Sequence, residues 1–341
     1  MQNKHCLSII LMNMKGTVYK IHSDFYYVMP DGENGTQNLI ECKLREILKK
    51  QKIKIATGDF VEVEDSNAIT KVLPRKNHCA KPNVANLDLM LVVSAIMEPE
   101  LNFVQLNRYL IFLKYHNIPA LLCFSKDDLA DETSLNEIKE RINKIYKPLG
   151  YDIIFTSSIS CDGLLELKEY IKGKTIALMG QSGVGKSSLL NAMNPEFNLR
   201  TKSVSERLKR GTNTTRHCEI MEFPDFKIMD TPGFSKLTFD FILPKDLGGL
   251  FDEIRTLGTE CRYSDCLHTE ESNSECNVIK NLDNIDISRY ESYLEFLIEA
   301  KKYKEKVTYE GVKIESTTKT HGNKEFAKIS SKKRGYSRKR T

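Results

Sequence analysis

The segment from Thr175 to Asn191 constrains the fold of this chain more than any other part of the sequence. A short apolar run, Ile176 to Met179, is followed by residues 180–187, which match G-x-x-x-x-G-K-[ST], and then by residues with helical spacing. A strand, a glycine-rich loop and a helix in this order are typical of a phosphate-binding P-loop. The alternative is a glycine-rich turn with an unrelated lysine, but the motif and its context both favour the P-loop.

The residue types in this loop suit phosphate binding. Glycines allow backbone N–H groups to point at phosphate oxygens, and the following helix N-terminus adds partial positive charge. Lys186 is expected to reach the β- and γ-phosphates, and the hydroxyl of Ser187 is expected to ligate Mg²⁺.

Two segments before the P-loop indicate guanine as the base. Residues 125–128 follow a predicted strand and approximate N-K-x-D, with Ser125 in place of the usual asparagine. The last aspartate, Asp128, would accept hydrogen bonds from N1–H and the 2-amino group of guanine, whereas adenine has no donors there. Residues 156–158 (Thr-Ser-Ser) follow another predicted strand and resemble a loop whose backbone contacts the base. An ordinary surface loop is the alternative for either segment taken alone.

Two segments after the P-loop complete the set. Residues 230–233 close a predicted strand as D-x-x-G, so Asp230 would hold Mg²⁺ through water and the N–H of Gly233 would sense the γ-phosphate. Residues 211–217 lie between, and there Thr215 is favoured over Thr214 as a magnesium ligand. Phe234 stands where Ras-type enzymes place a water-orienting glutamine, so we expect slow intrinsic hydrolysis, with the missing group supplied by a partner or another loop.

These motifs define the candidate site. The predicted nucleotide-binding residues are Ser125, Lys126, Asp127, Asp128, Ser157, Ser158, Gly180, Gln181, Ser182, Gly183, Val184, Gly185, Lys186, Ser187 and Ser188. The predicted catalytic residues are Lys186, Thr215 and Gly233, and the predicted magnesium ligands are Ser187, Thr215 and Asp230. The segment 211–217 is the predicted first switch and the segment 230–233 is the predicted second switch. Because the base-recognition motifs precede the P-loop and both switches, the order is a circular permutation of the ordinary GTPase order.

The regions on either side of the P-loop show two kinds of hydrophobic pattern. Five short strands are predicted at residues 16–21, 25–29, 39–44, 60–64 and 69–73, which suits a small barrel such as the OB-fold. Residues 74–82 are predicted to be a linker. Strands at 87–94, 118–124, 152–156, 175–179, 218–223 and 226–230 alternate with helices at 102–116, 135–147 and 163–172, which is typical of a parallel α/β sheet.

A cysteine and histidine cluster follows the second switch. Cys261, Cys266, His268 and Cys276 have the spacing C-x4-C-x-H-x7-C. Four protein ligands of this kind favour a closed, structural Zn²⁺ site, and three free thiols with a surface histidine are the alternative. Residues 287–306 then have helical spacing.

Charge and composition indicate the compartment and the class of partner. The whole chain has a net charge of +5 and the last fourteen residues carry +7, so the remainder carries −2. A basic tail suggests RNA or another polyanion, and a solvated end that aids solubility is the alternative. No run of 18 apolar residues is present, so we expect no membrane span. Residues 1–14 are predicted to be a short extension rather than a secretion signal, and a reduced, cytoplasmic compartment is expected.

Together these residues resemble the ribosome small-subunit-dependent GTPase A family, the circularly permuted GTPases of the YjeQ/YloQ type. The most specific matches are the segments 72–75, 86–88, 180–187 and 230–234 and the Cys/His cluster. The family often has Gly-Arg-His-Thr-Thr in the first switch, where its histidine is a candidate catalytic group. Thr212 and Asn213 occupy the Arg and His positions here, and His217 lies four residues further on, so the catalytic group stays open.

The resemblance implies an α/β fold, with a circularly permuted P-loop GTPase domain, an N-terminal OB-fold barrel and a small helical domain that binds one zinc. The predicted boundaries are an extension at 1–14, the barrel at 15–76, the GTPase domain at 77–243, the zinc domain at 244–306 and a basic tail at 307–341. It also implies a monomer that hydrolyses GTP to GDP with Mg²⁺ during late maturation of the small ribosomal subunit, stimulated by that particle and in contact with its 16S rRNA. A scaffold that binds RNA without catalytic turnover, or a P-loop kinase or ATPase, are the alternatives.

Overall fold

The computed structural model describes residues 13–193, 218–230, 237–239, 241–270, 275–309, 318–321 and 324–327. The chain divides into two compact units, residues 1–237 and residues 238–341, and each is described here by itself. In the described part of the chain, no helix is long and apolar enough to cross a bilayer.

A five-stranded barrel opens the first unit. Its strands are β1 (Met14–His22), β2 (Phe25–Pro30), β3 (Ile40–Leu44), β4 (Phe60–Glu64) and β5 (Ala68–Val72). Pairing runs β1–β2–β3–β5–β4, and β4 pairs back with β1, which closes the barrel. The short helix α1 (Glu46–Lys50) places Leu48 against a core of β-branched side chains that includes Val18, Val61 and Ile69. The prediction of a small barrel over these residues is confirmed.

The segment predicted as a linker is instead part of the folded unit. Strand β6 (His78–Ala80) lies in this segment and forms a hairpin with β7 (Asn83–Ala85), which directly follows it, and Cys79 is buried. Arg75 makes an ion pair of 2.6 Å with Asp59, which is fully buried in the barrel. The linker prediction is wrong because Pro82, one of the prolines that suggested it, lies in the turn of a short hairpin whose polar groups are paired with the barrel.

A mostly parallel sheet forms the rest of the first unit. Its strands are β8 (Leu89–Ala95), β9 (Ala120–Ser125), β10 (Asp152–Thr156), β11 (Thr175–Met179), β12 (Glu219–Glu222) and β13 (Lys227–Asp230), in the order β10–β9–β8–β11–β13–β12. Only β12 is antiparallel to its neighbour β13. The helices are α2 (Phe103–Tyr115), α3 (Glu132–Tyr146), α4 (Leu164–Ile171) and α5 (Lys186–Met193), and each lies within about three residues of its predicted position where one was predicted.

The strands of this sheet are apolar because the sheet is covered. Strand β8 has six buried residues of seven, as expected for a central parallel strand with helices packed on its faces. The core joins Leu91 and Val93 of β8 to Leu167 of α4 and to Leu189 and Leu190 of α5. Parallel packing brings the carboxyl ends of β8, β9, β10, β11 and β13 to one edge of the sheet, where the predicted motifs lie.

The second unit is helical. It contains α6 (Pro244–Leu247), α7 (Asp252–Gly258), α8 (Asn277–Lys280) and α9 (Ile287–Tyr309). Aromatic rings form its core: Phe251 contacts Tyr293 and Phe296, and Phe239 packs on Phe296. Strands β14 (Thr318–His321) and β15 (Lys324–Ala327) form an antiparallel hairpin further along.

Candidate nucleotide site and candidate metal centre

The predicted P-loop connects β11 to α5. Gly180 has φ +153°, and a Cβ at this position would lie 2.2 Å from the carbonyl oxygen of Val93 in β8. Only glycine fits there, so the first motif glycine is required by the close approach of the loop to the neighbouring strand. Ser187 is buried in the first turn of α5, and the loop residues 181–183 are more exposed.

The Lys186 ammonium group lies over the loop. Its Nζ donates hydrogen bonds to the carbonyl oxygens of Gly180 at 2.7 Å and Gln181 at 2.6 Å. Burial lowers the pKa of Lys186 to about 8, because removing the ammonium from water disfavours its charged form. A phosphate anion at this position would restore the charged form, so the lysine is prepared for an anionic ligand.

Ser125 links the base-recognition segment to the P-loop. It ends β9, it is buried, and its hydroxyl donates a hydrogen bond of 2.6 Å to the carbonyl oxygen of Val184. The serine therefore keeps a donor to the P-loop where the usual motif has an asparagine. Lys126 adopts a left-handed backbone conformation, with φ +61°. Its Cε atom lies 3.9 Å from the position that a Cβ of Gly185 would take. Its Nζ donates a hydrogen bond to the carbonyl oxygen of Glu98.

The two aspartates of the motif have different surroundings. Asp127 pairs with Lys139 of α3 at 3.4 Å. Asp128 accepts a hydrogen bond of 2.6 Å from the hydroxyl of Ser157, which is fully buried. The oxygen of Ser157 also accepts the backbone N–H groups of Ile159 and Ser160, at 3.1 and 3.0 Å. Asp128 is thus the oriented carboxylate, as the guanine-recognition prediction requires.

The role of the Ser157 hydroxyl was missed by sequence reasoning, which assigned this segment only a backbone contact with the base. Ser158, the second predicted residue, is half-buried beside it. A serine directly after a buried strand was a usable signal, because small hydroxyl side chains often bond the backbone two or three residues ahead.

The magnesium side of the site is described only in part. Asp230 ends β13, which runs parallel to β11, so this carboxylate and the P-loop lie at the carboxyl ends of adjacent strands. Hydroxyl and carboxylate oxygens, as at Ser187 and Asp230, are ligands that Mg²⁺ prefers. The predicted residues Thr215 and Gly233 lie outside the described residues, as do Asn213 and Phe234, so their assignments stay predictions.

The four cluster residues meet in the second unit. The Sγ atoms of Cys261 and Cys276 are 3.8 Å apart, and Nδ1 of His268 lies 3.6 Å from each. Including Cys266, the four ligand atoms lie within 4.8 Å of one another. With Zn–S of about 2.3 Å and Zn–N of about 2.0 Å, a tetrahedral site separates two sulfurs by about 3.8 Å and sulfur from nitrogen by about 3.6 Å. The donor set and its spacing therefore fit one tetrahedral metal ion.

The protein around His268 fixes the position of its ring. A Cβ at Gly258 would lie 3.0 Å from the ring, and one at Gly248 would lie 3.2 Å from it. Tyr290 and Tyr293 donate hydrogen bonds to the carbonyl oxygens of His268 and Leu267, at 2.9 and 2.7 Å. The supporting role of these two glycines and two tyrosines could not be predicted from the sequence. The tyrosines show only the spacing of a helix, and the glycines show no pattern.

Burial disfavours ligand ionisation at this cluster in the absence of a cation. It raises the pKa of Cys276 to about 11, with neighbouring thiols adding to the effect, and it lowers the pKa of His268. A bound metal cation would compensate the cost of the thiolate charge.

The family model of the RsgA N-terminal domain matches residues 15–70, and that of the RsgA GTPase matches residues 71–240. A third model, described as a 50S ribosome-binding GTPase, matches residues 175–308. The first two models meet at the end of the barrel.

The matches to curated relatives extend over nearly the whole length of those relatives. A Bacillus subtilis (strain 168) protein named small ribosomal subunit biogenesis GTPase RsgA is 34% identical over 293 residues, which are 84% of this chain and 97% of the relative. A Clostridium beijerinckii protein of the same name is 37% identical over 298 residues, 85% of this chain and 100% of the relative.

Solved structures are similar as well. The crystal structure of YjeQ from Thermotoga maritima has a TM-score of 0.70 and 35% identity, and the match covers 85% of this chain and 99% of that one. The structure of YloQ, described as a circularly permuted GTPase, has a TM-score of 0.69 and 29% identity, with 89% and 98% covered. The circularly permuted GTPase fold predicted from the motif order is thereby confirmed.

Proposed function

This chain belongs to the family of RsgA GTPases, and on that premise we propose that it hydrolyses GTP to GDP and phosphate as a biogenesis factor of the small ribosomal subunit. The observation that carries the proposal is the contact between the base-recognition segment and the P-loop. Ser157 orients Asp128, Ser125 bonds the P-loop, and Lys186 lies over that loop. Separate hydrogen bonds thus orient the base-recognition carboxylate, attach the base-recognition segment to the P-loop and hold the lysine over that loop. The oriented Asp128 carboxylate favours a guanine nucleotide over an ATPase or kinase substrate.

The chemistry proposed for the site follows from its residues. Asp128 accepts the guanine donors, the P-loop N–H groups surround the phosphates, and Lys186 neutralises charge at the β,γ-bridge. Ser187 and Asp230, with Thr215 as the third predicted ligand, would hold Mg²⁺. When bound, this ion neutralises the charge that develops on the phosphate oxygens. The N–H of Gly233 would then respond to the γ-phosphate.

We further propose that the metal held by Cys261, Cys266, His268 and Cys276 is one structural Zn²⁺. All four positions are protein side chains, which leaves no open coordination position for catalysis. The ion would hold the loop at 261–276 in the second unit, between α7 and α8.

The partner is proposed to be the small ribosomal subunit with its 16S rRNA. The barrel is of a class that commonly binds oligonucleotides, and the tail adds seven positive charges within residues 328–341. We propose a monomer in the cytoplasm, organised as a barrel at 15–76, a GTPase domain at 77–243, a zinc domain at 244–306 and a basic tail at 307–341.

Phosphate release at multiple turnover tests the proposal. With Phe234 directly after the D-x-x-G motif, the free protein should hydrolyse GTP slowly. Purified small subunits at low salt should accelerate hydrolysis at least about tenfold, which lowers the activation free energy by about 1.4 kcal/mol. Large subunits serve as the control, since one matched family model is described as binding that particle. Acceleration by large subunits alone would contradict the assignment of the partner, and no acceleration by either would favour the scaffold alternative.

A further inference from the structure

A hairpin connects the two predicted switch segments. Strands β12 and β13 are its arms: Cys218 follows the first switch segment, 211–217, and Asp230 is the first residue of the second, 230–233. In the register of the hairpin, Glu219 is paired with Asp230. The hairpin therefore carries Asp230, a predicted magnesium ligand, at the end of β13.

The barrel pairs with this hairpin at its switch end. Lys20 of β1 is the strand partner of Glu219, and the two side chains form an ion pair of 3.1 Å. Lys20, Glu219 and Asp230 thus lie in one row across three neighbouring strands. Nearby, the hydroxyl of Thr57 in the barrel donates a hydrogen bond of 3.2 Å to the carbonyl oxygen of Cys218, and both residues are buried.

A second set of contacts holds the turn end of the hairpin. Tyr19 of β1 is buried, and its hydroxyl donates a hydrogen bond of 2.7 Å to one carboxylate oxygen of Glu222. The other oxygen accepts the backbone N–H of Gly35, also in the barrel, at 2.5 Å. Lys227, on the opposite arm, donates to the Tyr19 hydroxyl at 2.6 Å and lies 3.5 Å from the Glu222 carboxylate.

The charge balance of this cluster favours an ionised Glu222. Burial raises the pKa of the Glu222 carboxyl, but hydrogen bonds from Gly35 and Tyr19 and the charge of Lys227 outweigh it and hold the pKa below its ordinary value. Burial and the neighbouring carboxylate raise the pKa of the Tyr19 hydroxyl, so it stays protonated and donates. Hydrogen bonds to an ionised carboxylate are stronger than those between neutral groups.

Contacts with the barrel are expected to stabilise the position of the hairpin. A two-stranded hairpin is marginally stable by itself in water. Strand β13 pairs with β11 at Thr175 and Ile176, near the start of β11, and β12 pairs with β1 of the barrel at Glu219. The other edge, β12, is held by the barrel.

We propose that the N-terminal barrel positions the magnesium side of the nucleotide site through this hairpin, with Tyr19, Glu222 and Lys227 as positioning residues. The inference rests on the proposed guanine-nucleotide function and adds a route by which a contact on the barrel reaches Asp230. Loosening the cluster should therefore affect Mg²⁺-dependent binding of the γ-phosphate more than binding of the base and the β-phosphate.

The test measures how much Mg²⁺ strengthens binding of a non-hydrolysable GTP analogue, as the ratio of Kd in EDTA to Kd in Mg²⁺. Tyr19→Phe removes one hydroxyl and leaves Lys227 beside Glu222. Glu222→Gln keeps an oxygen that can accept the backbone N–H of Gly35 but removes the negative charge of the side chain. In both variants the ratio should fall by about fivefold, while GDP affinity in EDTA stays close to that of the wild type.

Tyr170→Phe is the matched control. It removes a tyrosine–carboxylate hydrogen bond of 2.6 Å from α4 to Asp152 of β10, a strand separated from the hairpin by three other strands. The control should keep the wild-type ratio. Circular dichroism and GDP binding in EDTA establish that each variant is folded, and Glu222→Gln carries the test if Tyr19→Phe does not fold.

The inference is overturned if both folded variants keep the wild-type ratio, or if Mg²⁺ does not strengthen analogue binding to the wild type. Failure of the proposed function is a separate result. It would appear as the absence of particle-stimulated hydrolysis in the wild type, and the binding ratio is measured without hydrolysis or ribosomal particles.

Discussion

The pH dependence of GDP binding is expected to report the burial of Lys186. In the nucleotide-free protein the pKa of this lysine is about 8, because burial disfavours the ammonium form. With bound phosphate the charged form is favoured, so the pKa returns toward the ordinary value near 10.5. Between these two values the bound state holds more protons than the free state, so binding takes up a proton and weakens as pH rises.

The size of the effect follows from the two pKa values. At about pH 7 the lysine is charged in both states, and at about pH 9 roughly one free molecule in ten still carries the proton. GDP affinity should therefore fall about tenfold from pH 7 to pH 9. Isothermal calorimetry in two buffers of different ionisation enthalpy should show uptake of about half a proton per GDP at pH 8. Measurements without Mg²⁺ keep metal binding out of the profile.

Lys186→Ala separates this effect from ionisation of the guanine ring. The variant should bind GDP weakly, and its pH profile should contain only the guanine contribution. The free energy of unfolding gives a second readout, which should rise with pH whereas GDP affinity falls. The reason is that above about pH 8 the lysine holds more protons in the unfolded state than in the folded state. The free energy of unfolding of nucleotide-free wild type should thus rise, relative to the variant, by about 2 kcal/mol between pH 7 and pH 9.5. Equal affinity slopes in the two proteins would refute the reasoning.

Three further predictions concern base choice, the link to the P-loop, and the metal. Asp128→Asn should weaken GDP binding by at least about tenfold, because the mutant amide presents donors to guanine donors; unchanged GDP affinity in fluorescence titration would contradict the base assignment. Ser125→Ala should weaken GDP binding about threefold to tenfold by leaving the Val184 carbonyl oxygen without its hydroxyl donor, and Kd values for GDP and ATP show whether specificity is kept. Freshly purified, reduced protein should contain about one zinc per chain by mass spectrometry of metals, and Cys276→Ala should lower this and destabilise the second unit while GDP still binds; a zinc-free wild type would reject the metal proposal.

Several features of this protein could be predicted from the sequence because they depend on short segments. The P-loop is one continuous stretch, so its glycines, Lys186 and Ser187 could be located by spacing alone. The same holds for the Cys/His cluster, whose four ligands lie within sixteen residues. The strands of the barrel and the sheet were located within a few residues, since alternation and apolar runs reflect burial of the chain segment itself.

The sequence misled where a local signal had a tertiary explanation. Prolines at 74 and 82 suggested a linker, yet the segment between them contains β6 and pairs Arg75 with buried Asp59. Composition shows that a segment contains turn-forming residues, but it does not show whether its polar groups find partners elsewhere in the fold.

Contacts between distant residues were decided by the tertiary structure. The hydroxyl of Ser157 reaches Asp128 across 29 positions in sequence, and Ser125 reaches the P-loop carbonyl across 59. Tyr19 and Glu222 are separated by 203 positions, and no pattern in either strand indicates that the other is its partner. Periodicity specifies which face of a strand is buried, but pairing depends on how the whole sheet and barrel close. The motifs therefore determined which chemistry the chain can perform, and only the packing of the barrel against β12 and β13 determined what holds that chemistry in place.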